Sequence, residues 1–119
     1  MDKSPKYLDE IIDKKIYPKS VEMGKKFYDA FRGEGKSQLR KLQTLAYSTS
    51  RFTEILNFIK NQIGKDTQRK WTSFGEELLE ELKGLQEMEK GKLSSTHLLY
   101  LARAYIDGAV NEYLYLAKK

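Results

Sequence analysis

Apolar residues recur every three or four positions along nearly all of this 119-residue chain, and its only two prolines, Pro5 and Pro18, lie before residue 19. That spacing gives each segment one apolar stripe of helical period and matches no strand pattern, so the chain is predicted to be all-α. A first helix opens with Ser4 as cap and Pro5 in its first turn, carries Leu8, Ile11, Ile12 and Ile16, and is expected to end or kink at Pro18. A second starts at Pro18 or Ser20, buries Val21, Gly24, Phe27, Tyr28 and Phe31, and stops at Gly33-Glu34-Gly35. From Ser37 the period continues through Leu39, Leu42, Leu45, Ala46, Thr49, Phe52, Leu56, Ile59 and Ile63 to Gly64. This predicts one long helix over 37–63, about 40 Å in length, which would project from so small a domain or bend near Ser48-Thr49-Ser50.

Asp66 or Thr67 is expected to cap the next helix, which turns Trp71, Phe74, Leu78, Leu79, Leu82 and Leu85 inward and loosens over Gly84 to Gly91. The last helix starts at Ser94, Ser95 or Thr96 and runs to Lys118-Lys119 behind Leu98, Leu99, Ala102, Tyr105, Ile106, Ala109, Val110, Tyr113 and Leu116. The expected architecture is a single helical domain over residues 1–119, a bundle of about five antiparallel helices with one long central helix.

The chain has no cysteine and one histidine, which removes thiolate metal sites, disulfides and cysteine nucleophiles and leaves little for acid-base chemistry. Glu76, Glu77, Glu80 and Glu81 resemble a carboxylate metal site only superficially, because a di-iron bundle needs Glu-x-x-His pairs and His97 stands elsewhere. Gly33-Glu34-Gly35-Lys36-Ser37 ends like a phosphate loop but lacks the preceding strand and the spaced first glycine. No catalytic residue, metal or cofactor is assigned, and the chain is not expected to be an enzyme. No apolar run approaches the ~20 residues that span a bilayer, and the first residues carry no secretory apolar stretch. A cytoplasmic protein with no membrane partner is expected.

Charge is segregated. Residues 36–70 hold eight basic side chains against Glu54 and Asp66, a net +6 that exceeds the +5 of the whole chain. Residues 76–89 hold six glutamates against Lys83, a net −5. A basic segment suits a phosphate backbone, and an acidic one suits solvent or the basic side of a neighbouring copy. Within the predicted 37–63 helix and the residue before it, Lys36, Arg40, Tyr47 and Arg51 are spaced to share the face opposite the apolar stripe. Cations that meet phosphates, with an aromatic ring between them to stack on a base, make a track for single-stranded nucleic acid. Lys41 adjoins this track, while Lys65, Arg69 and Lys70 cluster in the turn after Gly64, near one of its ends. Arg103, at the rim of the last helix, is either a phosphate ligand or the partner of a glutamate. Tyr100, Tyr115 and Leu116 cannot all face inward, so some aromatic surface is left for a protein contact.

Ser37-Gln38-Leu39-Arg40-Lys41 opening a helix, followed by a Tyr-rich last helix with Ala109-Val110-Asn111-Glu112-Tyr113, resembles the small helical subunit of type III-A, or Csm-type, CRISPR effector complexes. The Cmr-type small subunit is a close competitor. The resemblance covers about residues 25–64 and 97–117. It implies a non-catalytic scaffold whose copies stack as a filament beside other effector subunits and hold target RNA, or the backbone of a guide–target duplex, without reading its sequence. It carries Lys36, Arg40, Lys41 and Arg51 over as RNA-facing. An isolated copy is then expected to be a monomer or a weak oligomer, because exposed ion pairs contribute only about 0–1 kcal/mol each. A different class remains open beside it: a viral or regulatory adaptor bundle whose basic face is merely solvated and whose partner binds the last helix.

Overall fold

Helices carry almost all of the chain, and no strand occurs among the described residues, in agreement with the helical spacing. The structure is a computed structural model that describes residues 4–119, with side chains from Lys6 onward. The expected capping role of the Ser4 side chain therefore lies outside the described residues. Helix α1 (Ser4–Ile11) passes through a π turn (Ile12–Ile16) into α2 (Tyr17–Phe31), and the three form one continuous rod. Helices α3 (Lys36–Ser48), α4 (Phe52–Gly64), α5 (Lys70–Leu85) and α6 (Ser95–Lys118) complete a five-rod bundle.

The first rod does not end at Pro18. Proline has no N–H to donate, and its ring crowds the carbonyl four residues back. The wider π turn just before it meets both demands: the Tyr17 N–H donates to the Ile12 carbonyl five residues back, and Pro18 enters the first turn of α2.

The single helix expected over 37–63 is two helices. The chain leaves α3 at Thr49 (φ −87°, ψ 151°) and is still extended at Arg51 (φ −125°, ψ 119°) before α4 begins. Side chains hold this break in place. Arg103 of α6 donates from Nε to the Ala46 carbonyl (2.7 Å) and from Nη2 to the Thr49 carbonyl (3.1 Å), which satisfies oxygens left over at the end of α3. The Thr49 hydroxyl accepts the Arg51 N–H (3.1 Å) and donates to Glu54 in the first turn of α4 (2.9 Å).

The long central rod is α6, with 24 residues. It packs along α2 and touches α1, α3, α4 and α5. Small residues allow the α2–α6 approach: a Cβ on Gly24 would stand 2.6 Å from the Ala109 carbonyl oxygen. Tyr105 and Tyr113 are the largest fully buried side chains, and Phe27, Phe31, Trp71 and Phe74 form an aromatic cluster between α2 and α5. The Tyr113 hydroxyl accepts the Gly35 N–H (2.7 Å) and so pins the entry of α3 to α6.

Asp66, rather than Thr67, caps α5. Its carboxylate accepts from the Thr72 N–H and hydroxyl (2.8 Å each) and from the Lys70 N–H (3.3 Å). Desolvation pushes this carboxyl up, but the hydrogen bonds from Thr72, Lys70 and Gln68 outweigh it and hold the group below its ordinary value of 3.8. A depressed acid stabilises the fold fully above that ordinary value, and the stabilisation is lost as pH falls through the folded-state value. Asp66→Ala is expected to cost about 1 kcal/mol near neutral pH, and the gap from the parent should close in acid, as read by urea unfolding at two pH values. Ser94 caps α6 by accepting the His97 N–H (3.1 Å), so His97 sits in a first turn.

Candidate nucleic-acid interface

The first turn of α3 gathers the basic side chains. Gly35 is its N-cap, no side chain caps it, and a Cβ at Gly35 would meet the Phe31 ring at 2.5 Å. An uncapped helix start adds its own partial positive charge to the cations around it. On one side of this turn, Lys36 and Arg40 meet Lys118 of α6 across a cleft of about 300 Å³ with an apolar floor that includes Leu114 and Ala117. On the other side, Gln38 faces the α4–α5 turn across a pocket of about 280 Å³ whose walls include Lys65 and Lys70. The turn after Gly64 therefore lies at the start of α3, not at its far end.

Of the nine residues predicted to meet RNA, Lys36, Arg40, Lys41, Lys65 and Arg69 are exposed and make no ion pair among the described residues. Arg69 stands in the left-handed region (φ 62°) at the N-cap of α5. Lys70 is half-buried and donates to the Ala30 carbonyl (3.4 Å).

The other three have partners of their own. Arg51 lies beyond the end of α3 and pairs with Glu54 (3.3 Å), so the predicted stripe reaches only as far as Tyr47. Arg103 is half-buried and pairs with no glutamate among the described residues; its guanidinium bonds the carbonyls of the α3–α4 break and lies over the Tyr47 ring, 5.5 Å from the centroid. The Tyr47 hydroxyl donates to Asp107, which also accepts from Gln43 (3.0 Å). That bond, with some burial, pushes the phenol up to about 12, and Arg103 covers one face of a ring that is otherwise 57% exposed.

Sequence reasoning missed Lys118. Its position in a last turn explains a lysine by the helix dipole alone, and only the packing of α6 against α3 brings it to Lys36 and Arg40. The acidic helix is also less free than its composition suggests: Glu77 pairs with Lys26 (3.3 Å) and Glu81 approaches Lys19 (3.9 Å), both on α2. No group of three or more metal-ligating side chains converges among the described residues, and none of their helices is long and apolar enough to cross a membrane. No family model, curated protein or solved structure matches the chain.

Proposed function

We propose that this chain is a non-catalytic RNA-binding scaffold subunit of a type III CRISPR ribonucleoprotein. It holds single-stranded target RNA, or the backbone of a guide–target duplex, by sequence-independent contacts, and stacks with copies of itself beside other effector subunits in the cytoplasm. The observation that supports this reading is the set of cations at the start of α3 that make no ion pair among the described residues, where Lys36, Arg40 and Lys118 line one cleft and Lys65 lines the next. The Ser37-Gln38-Leu39-Arg40-Lys41 segment that carries the resemblance opens the same helix and supplies Arg40 of that cleft, with the exposed Lys41 next to it.

Phosphate contacts release counterions, so affinity falls with salt in proportion to their number. Five contacts to a single strand correspond to a slope of roughly −3.5 in log K against log salt, or about a 100-fold loss between roughly 50 and 200 mM. A filter-binding titration with single-stranded RNA checks this, and scrambling the RNA sequence should leave the curve in place. No affinity even at low ionic strength, alone or in the assembled complex, would end the proposal.

One observation favours the adaptor reading: Tyr17, Tyr100 and Tyr115 stand 42–58% exposed. Tyr100 is already tied by its hydroxyl to Asp9 (3.0 Å), and Tyr115 lies beneath the Lys119 ammonium, so these rings are partly engaged within the chain.

A further inference from the structure

We infer that Tyr47 is a one-sided stacking platform for an unpaired base of the bound strand. The inference rests on the RNA-binding reading and adds the one contact in which a base, rather than a phosphate, is held. With about 3.6 residues to a turn, Lys36, Arg40, Gln43 and Tyr47 fall within about 60° of one another on α3, so the ring continues the line of the two cations. Arg40 and Tyr47 stand about 10 Å apart along the axis, and a stacked strand rises about 3.4 Å per phosphate. A strand with its phosphates on Lys36 and Arg40 therefore reaches the ring within about three nucleotides.

What separates Tyr47 from the other exposed tyrosines is that it is fixed without being covered. Its hydroxyl donates to Asp107, and the Arg103 guanidinium lies over one face of the ring, 5.5 Å from the centroid. Arg103 is itself held by the Ala46 and Thr49 carbonyls, at 2.7 and 3.1 Å. The rotamer is set before a ligand arrives, so a base that stacks there orders nothing further on this side chain. Yet the residue is 57% exposed, and no other ring packs against it among the described residues. With the hydroxyl and one face engaged, the open area is the opposite face and its edge. Among the described residues, Tyr7, Tyr17 and Tyr100 carry no cation on a face, and Tyr115 carries only the terminal Lys119. The guanidinium behind the ring also selects the occupant: it repels a second cation from a partner protein, whereas a neutral flat base stacks on the free face. The surroundings are neutral, since Gln43, Thr44 and Ser48 line the shallow hollow of about 440 Å³ beside Tyr47. The Asp107 carboxylate at the hydroxyl end receives the Tyr47 hydroxyl on one oxygen and the Gln43 amide on the other (3.0 Å). Stacking reads no sequence, because every base has a π face, and this agrees with sequence-independent binding.

Affinity is measured at low salt for a short single-stranded RNA and for a strand of the same length whose bases are replaced by hydrogen. The parent is expected to favour the intact strand by about tenfold or more. Tyr47→Ala and Tyr47→Leu should lose about that factor on the intact strand and nothing on the abasic one. Tyr47→Phe, which keeps the ring and loses only the bond to Asp107, should stay within about threefold of the parent. Lys36→Glu/Arg40→Glu should weaken both strands alike and keep the preference. Circular dichroism on each variant checks the fold, and the leucine keeps an apolar cover on Arg103. If Tyr47→Ala and Tyr47→Leu retain the preference for the intact strand, or weaken both strands alike, the platform is overturned and the phosphate contacts stand. Binding of neither strand by the parent would overturn the platform together with the RNA-binding reading.

Discussion

Gly24→Ala is expected to lower the thermal midpoint by about 5–15 °C, the consequence of roughly 1–3 kcal/mol of overpacking in a domain of this size. Helices α2 and α6 meet where Gly24 faces Ala109 and Glu112, and an added methyl would stand 2.6 Å from a backbone oxygen and 2.5 Å from the Glu112 Cβ. A flexible side chain could turn aside from it, but a backbone carbonyl in the middle of a 24-residue helix moves only with its helix. The intrinsic preference of a helix for alanine over glycine, near 1 kcal/mol, works against this loss and sets a floor on the clash that calorimetry reads. Gly33→Ala is the control, since nothing stands within 4 Å of a Cβ there. A midpoint raised above the parent's, as the helix preference for alanine alone would give, would show that the two rods are not in close contact.

The fold was legible because helical period and burial are one property seen twice. Leu39, Leu42 and Ala46, or Trp71, Phe74, Leu78 and Leu82, are buried where the spacing places them inward. The break at Thr49 was legible only as one alternative, a bend near Ser48-Thr49-Ser50, because the apolar period continues through Phe52, Leu56 and Ile59 as though the helix did. What ends α3 is a guanidinium arriving from residue 103, and such a contact has no local signature. Pro18 misleads for the opposite reason. Its local signal for a helix end is strong, but a π turn costs less than giving up the rod that α2 forms against α6.

Charge segregation along the chain located the candidate interface to within one segment, while the membership of individual residues depended on packing. Arg40 and Arg51 look equivalent in sequence. The first faces a cleft with two other cations, and the second is spent on Glu54 beyond the helix end. Lys65 was placed near one end of the track by sequence and packing decides which end, whereas Lys118 enters only because α6 closes on the start of α3.

Reversing Lys36 and Arg40 together should therefore remove most of the affinity for single-stranded RNA. Each lost charge-assisted contact is worth about 1.5 kcal/mol, so the pair corresponds to roughly a 100-fold loss at low salt, and the salt slope should fall by about 1.4. Both side chains are exposed and make no ion pair among the described residues, so the fold should tolerate the change. Arg51→Glu places the same kind of charge on the same basic segment, at a residue whose charge is already paired. The most direct measurement is thus RNA affinity at low salt for Lys36→Glu/Arg40→Glu and Arg51→Glu side by side, with circular dichroism on each. The expected result is about a 100-fold loss for the pair and less than about threefold for Arg51→Glu, at unchanged helicity. Equal losses in the two, or full affinity in the pair, would contradict an RNA interface at the start of α3.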